Sequence, residues 1–208
     1  MKNRVFTLNI NNYFPELMEI TIPLMEEYAD KIGAEFIEIK ERKFPDWHIH
    51  NEKLQIYELG KDSEWNIFFD GDLLVHPKFQ DLTKSEPTIF IKDGYSNSMK
   101  YKPNKHFLND RRNQGIASCL LASHIKYHNI WKPLDMTPDE VTDQIVGGKD
   151  EDYSQNEFIL SYNLAKYQIP YNGLDQTYIY HSYETDASKE IKLKEIKSIL
   201  DKWQIKTH

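Results

Sequence analysis

The sequence predicts an α/β fold: one domain, residues 1–208, with a mostly parallel central sheet flanked by helices. Three observations carry that prediction. The chain opens strand–helix–strand, the first unit of a parallel sheet. The run Trp65-Asn66-Ile67-Phe68-Phe69 is largely apolar on both faces, as a central strand must be. The length, 208 residues, suffices for one good core, or one core with a small lobe.

Each element follows from local pattern. Arg4 to Ile10 reads as a strand that closes in Asn11-Asn12, residues suited to a turn. Pro15 to Ile32 reads as a helix with Met18, Ile22, Met25 and Ala29 on one face and Gly33 as its cap. Pro23 inside it predicts a kink or a break. Glu35 to Ile39 alternates and makes the second strand. Arg42 to Asn51 is a polar and aromatic loop, and Glu52 to Leu59 a short helix closed by Gly60. After the central strand, Leu73 to Val75 stays extended until Pro77. Thr88 to Ile91 is a further strand, followed by an Asp93-Gly94 turn, and Asn97 to Asn113 is polar and irregular. Gly115 to Ser123 is apolar enough to be buried, with strand and helix both open. Thr137-Pro138-Asp139-Glu140 is a capping box whose helix is expected to end near Gly147-Gly148. Ser154-Gln155-Asn156-Glu157 is a second capping box, opening a helix that ends before Pro170. Thr177 to Tyr180 is a short strand. The last helix sets Ile196, Ile199, Leu200 and Trp203 at i, i+3, i+4 and i+7, a stripe expected to pack on the sheet.

Composition narrows the function classes. The net charge of −7 argues against general nucleic-acid binding, which needs a basic surface. No apolar run approaches the roughly 20 residues needed to span a membrane. The N-terminus lacks the apolar core of a secretory signal, so the cytoplasm is the expected location. Cys119 is the only cysteine, which excludes an internal disulfide and a cysteine-built metal site; its apolar neighbours make it a core residue.

The chemistry concentrates at Asp70-Gly71-Asp72, where the central strand ends. Two carboxylates there carry a desolvation cost that a divalent cation with a diphosphate would offset. Residues i and i+2 of a strand point the same way, and Gly71 lets backbone and ligand approach closely. Asp-Gly between apolar runs is also a hairpin signal. In that reading Phe68-Phe69 pairs with Leu73-Leu74 and Asp72 merely flanks the turn. His48 and His50 lack the acidic neighbours typical of a zinc site and are not read as ligands.

The run Phe68-Phe69-Asp70-Gly71-Asp72-Leu73-Leu74-Val75, with His50 to Tyr57 before it, resembles small nucleotide-sugar-dependent glycosyltransferases of the GT-A type. Glycogenin-like and bacterial lipopolysaccharide glycosyltransferases are among them. The resemblance implies a single GT-A-like domain with a Rossmann-like sheet. It implies a nucleotide- and metal-binding half, 1–95, and an acceptor-side half with the C-terminal helix, 96–208. It implies hexosyl transfer from a nucleoside diphosphate sugar, a uridine one rather than a guanosine one, to a hydroxyl of a glycan or glycoprotein. Asp70, Asp72 and His181 would then bind Mn2+ or Mg2+. Thr7, Asn9 and Tyr13 would meet the nucleotide, the last by stacking, in keeping with ligand binding at the carboxyl ends of strands. Lys53, Gly71, Asn113 and Lys189 would approach the diphosphate or donor sugar, with Gly115 beside Asn113 and Arg111 and Arg112 near the phosphates. Asp152 and Glu157 are the catalytic candidates, although a capping box alone accounts for Glu157. The short chain leaves little material for an acceptor region, so an open site or a fused or partner domain is expected. Two alternatives stand beside this reading. A metal-dependent nucleotidyltransferase would also pair aspartates, but Leu8 to Asn12 lacks the glycine of a phosphate loop. The other is a noncatalytic carbohydrate-binding protein on a transferase-like fold.

Overall fold

The computed structural model describes residues 1–12, 14–92, 95–102, 106, 114–146, 154–181 and 189–205, with the backbone only at 95–100 and 114–115. In chain order the elements open with β1 (Lys2–Leu8), α1 (Pro15–Lys31), β2 (Ala34–Ile39), α2 (Ile56–Leu59), β3 (Ser63–Phe69) and β4 (Leu73–Val75). There follow β5 (Ile89–Ile91), β6 (Tyr95–Tyr101), β7 (Gln114–Ile116), β8 (Leu120–His124) and α3 (Pro138–Thr142). The chain ends with β9 (Ile145–Val146), α4 (Gln155–Lys166), β10 (Asn172–Gly173), β11 (Ile179–His181) and α5 (Lys189–Trp203).

The main sheet has six strands in the order β10-β5-β8-β3-β1-β2. Five run the same way; β8 is antiparallel to both its neighbours, β3 and β5. This is the mostly parallel α/β sheet, flanked by helices, that the sequence predicts. Alternation assigns each side chain to a face. Phe6, Phe68 and Leu121 join the core under α4 with Phe158 and Ile159. Val5, Ile67, Phe69, Leu120 and Ala122 join the core under α1 with Met25, Tyr28 and Ala29. Strand β3 is buried on both faces because each face is covered by a helix.

Helix α1 starts at Pro15, in the first-turn position where a missing N–H costs nothing, and Gly33 follows it at φ +65°. It runs unbroken through Pro23, contrary to an expected break. Pro23 and Glu19 are exposed, so water can take the carbonyl that the proline leaves without a donor. The capping box at Thr137 and Glu140 is formed, but α3 ends at Thr142 and gives way to β9, short of the expected Gly147. The segment read as irregular from Asn97 instead begins inside β6, the middle strand of a small sheet ordered β7-β6-β9. The Asp93-Gly94 turn lies outside the described residues.

The hairpin reading of Asp70-Gly71-Asp72 is overturned. Strand β4 pairs antiparallel with β11, not with β3. The final helix also packs differently from the expectation. Ile196 and Leu200 of α5 meet Phe14 and Leu17 at the head of α1 and Leu74 of β4. Leu74 and its neighbour Tyr180 of β11 extend the small β4–β11 sheet away from the main one, and its exposed apolar face is what α5 covers.

Candidate functional site

The carboxyl end of β3 delivers the aspartates. The Asp70 N–H donates to Cys119 O at 2.8 Å, and the Leu73 N–H closes the turn onto Asp70 O at 3.0 Å. Thr21 Oγ1 of α1 donates to Gly71 O at 2.7 Å. A Cβ at Gly71 would lie 2.8 Å from Met18 Sδ and 3.3 Å from Leu8 O, so the glycine is needed for packing within the chain itself. Register then brings in the histidine: the β4–β11 pairing sets His181 opposite Leu73, one residue past Asp72. His181 Nε2 lies 3.1 Å from Asp72 Oδ1. Ligand atoms of Asp70, Asp72 and His181 all fall within 4.8 Å of one another. Two carboxylate oxygens and an imidazole nitrogen are a donor set suited to Mn2+ or Mg2+, so these residues fit a divalent cation.

Lysines balance the aspartates. Lys53 is 1% exposed, and its ammonium lies 3.2 Å from Asp70 Oδ1 and above the Phe68 ring. Lys192 of α5 reaches Asp72 Oδ2 at 3.2 Å. Burial by itself raises the Asp72 carboxyl, but the His181 imidazole and the Lys192 ammonium outweigh it and hold the group well below the usual carboxylate range.

Lys53 sits on a 3-10 helix, Ile49–Gln55, anchored by the buried carboxylate of Glu52. Glu52 accepts from Arg42 Nε at 3.1 Å, from the Lys43 and Phe44 N–H groups at 2.8 and 3.0 Å, and from Gln55 Nε2 at 2.8 Å. Residues i and i+3 of such a helix eclipse, so His50 shares the face of Lys53. Burial, with Lys53 and His48 adding to it, pushes the His50 imidazole down to about 3, which leaves the ring neutral.

Helix α4 closes the other side. The Ser154 side chain makes no capping bond, so the predicted second capping box does not form. Glu157 turns into the site instead. Its carboxyl accepts from the Ser118 N–H, while Oε2 is buried with no hydrogen-bond partner among the described residues. Burial raises Glu157 to about 8; Lys53 opposes the rise and Asp70 adds to it. The neighbouring Asn156 donates to Ser118 Oγ at 2.7 Å, and Lys53 donates to the same oxygen at 3.0 Å.

Of the other residues singled out in the sequence, Thr7 is fully buried in β1, its Oγ1 without a partner. Asn9, just past β1, donates from Nδ2 to Glu38 at 2.8 Å. Lys189 opens α5 with its ammonium 5.1 Å above the Phe14 ring, whereas Lys192, one turn on, is the lysine at Asp72. Tyr13, Arg111, Arg112, Asn113 and Asp152 lie outside the described residues. Sequence reasoning missed His50, Ser118, Asn156 and Lys192. Only His50, three residues before Lys53, carried a usable local signal. No described helix is long and apolar enough to cross a membrane.

No protein-family model matches this chain, and no curated protein matches it. Solved structures do match. A glycosyltransferase involved in the glycosylation of the major capsid of PBCV-1 aligns with a TM-score of 0.55 at 13% identity, over 95% of this chain and 100% of that one. The galactosyltransferase LgtC, in complex with donor and acceptor sugar analogs, aligns with a TM-score of 0.53 at 13% identity, over 94% and 95%. A Drosophila β-1,4-galactosyltransferase, in complex with manganese, UDP-Gal and xylobiose, aligns with a TM-score of 0.50 at 11% identity, over 92% and 79%. At these identities the likeness is one of fold, and the fold is a GT-A-like Rossmann fold.

Proposed function

We propose that this protein is a metal-dependent glycosyltransferase. It would move a hexosyl group from a nucleoside diphosphate sugar, a UDP-sugar, to a hydroxyl of a glycan or protein acceptor. The observation that carries the reading is the meeting of Asp70, Asp72 and His181 at the carboxyl edge of a GT-A-like sheet. Two structures of the same fold contain donor-type ligands, one with manganese and UDP-Gal and one with donor and acceptor sugar analogs.

In this reading Asp70, Asp72 and His181 hold Mn2+ or Mg2+, which when bound supplies charge to stabilise the departing diphosphate. Lys53 and Lys192, each beside one of the aspartates, add positive charge on the same side. Thr7, Asn9 and Tyr13 receive the nucleotide at the end of β1. Gly71 keeps the acidic turn close to α1, Asn113 runs beneath the donor sugar, and Lys189 approaches the diphosphate. Glu157, raised to about 8, is placed to exchange a proton with a sugar hydroxyl near neutral pH, with Asp152 as the second acceptor-side carboxylate. Residues 1–95 form the nucleotide and metal half and 96–208 the acceptor half, completed by a fused or partner domain where the acceptor is large.

The test is release of nucleoside diphosphate from a panel of UDP and GDP sugars, with Mn2+ and with a chelator, by the wild-type protein and Asp72→Asn. The reading expects release that requires Mn2+, prefers UDP sugars and is lost in the variant. Metal-dependent binding without release on any acceptor would move the assignment to a noncatalytic sugar-nucleotide-binding protein.

A further inference from the structure

Ser118 lies in the short link between β7 and β8, 6% exposed, among residues whose sequence shows no sign of chemistry. Its neighbours give it an unusual share of the site's hydrogen bonds. The Lys53 ammonium has three N–H groups, and its three oxygen contacts are Asp70 Oδ1 at 3.2 Å, Ser118 Oγ at 3.0 Å and Ser118 O at 3.4 Å. Two of the three belong to Ser118. The same hydroxyl accepts from Asn156 Nδ2 at 2.7 Å, and the Ser118 N–H donates to Glu157. The next residue, Cys119, holds the Asp70 N–H through its carbonyl. One dipeptide therefore ties together the lysine, the first aspartate and the start of α4.

A buried ammonium left with one strong acceptor moves onto it, since an ionised partner gives the stronger bond. Here that acceptor is Asp70, and a lysine seated fully on Asp70 competes with a cation for the carboxylate and repels it. We infer that Ser118 is a positioning residue: its hydroxyl holds the Lys53 ammonium in shared contact, so that Asp70 keeps a carboxylate lone pair open to a divalent cation. The role rests on the metal reading above, and it concerns the balance between Lys53 and the cation, not the chemistry of transfer.

Mn2+ titration by calorimetry, without nucleotide, tests the role on five proteins: wild type, Ser118→Ala, Ser118→Thr, Lys53→Met and the Ser118→Ala/Lys53→Met double variant. Ser118→Ala is expected to weaken Mn2+ binding roughly tenfold, the scale of a hydrogen bond to a charged group. Ser118→Thr, which keeps the hydroxyl acceptor, restores it. In the Lys53→Met background Ser118→Ala changes affinity by less than about twofold, because the lysine through which it acts is gone. Should Ser118→Ala fail to fold, Ser118→Cys, similar in shape but a weak acceptor, reads the same loss. Equal Mn2+ affinity in wild type and Ser118→Ala, or an undiminished loss in the Lys53→Met background, overturns the role while leaving the metal site standing. Absence of Mn2+ binding by the wild-type protein overturns the metal reading itself, and this role with it.

Discussion

Replacing Glu157 by Gln should change how the stability of the metal-free protein depends on pH. Glu157 is an acid whose folded-state value, about 8, lies above its ordinary 4.5, because burial disfavours the carboxylate. A raised value means that the folded protein keeps a proton the unfolded chain has lost. Its stabilising effect is full below the unfolded value and is lost as pH rises through about 8. His50 acts in the opposite sense. Its value falls from 6.5 to about 3, so the unfolded chain binds a proton that the folded one refuses, and stability is lost as pH drops below about 6.5. Asp72, held well below the ordinary range, stays ionised in both states above pH 6. The window from about pH 6.5 to about 8 therefore isolates Glu157. One extra native proton gives a slope of about −1.4 kcal/mol per pH unit, so roughly 2 kcal/mol should be lost across that window. Urea denaturation in the presence of a chelator reads the change directly. The wild-type protein should lose that stability between the two ends, and Glu157→Gln should show a flat profile. Equal slopes in the two proteins would refute a protonated Glu157 and with it the buried carboxyl facing Lys53 and Asp70.

Two further predictions concern the scaffold. Glu52→Ala removes the carboxylate that serves Arg42, two backbone N–H groups and Gln55, and should cost about 3 kcal/mol in denaturant unfolding; a loss under about 1 kcal/mol would show that the loop at 42–44 does not depend on it. Leu200→Ala empties the contact between α5 and the head of α1, with an expected cost of about 2–5 kcal/mol; hydrogen exchange should show the loss of protection concentrated in α5 rather than in β3.

The central sheet was readable because its signal is local. Strand β3 is apolar on both faces, and β1–α1–β2 changes its hydrophobic period between elements, so neither needs a distant partner to be recognised. The two aspartates were readable for the same reason: a charged pair at the end of an apolar strand stands out in a short window. The arrangement that joins them to His181 lies in the pairing of β4 with β11, two three-residue strands far apart in sequence. Segments so short hold no period to read, and the Asp-Gly between β3 and β4 points locally to a hairpin that tertiary pairing overrides. Glu157 shows the reverse error. Ser-x-x-Glu is a sound capping signal, yet Ser154 makes no capping bond and the glutamate faces Ser118 and Lys53. Lys192 sits in a helix rich in lysines, and only the docking of α5 on α1 and β4 separates it from its neighbours. Ser118, between Ala117 and Cys119, has apolar surroundings in sequence and a polar one only in space.

The claim that Asp70, Asp72 and His181 form a cation-dependent donor site meets its most direct test in calorimetric binding of UDP-glucose, with Mn2+ and with a chelator, to the wild-type protein and to Asp72→Asn. The account predicts binding that requires Mn2+ and disappears in a folded Asp72→Asn variant. Binding of equal strength in the chelator, or in Asp72→Asn, would contradict it.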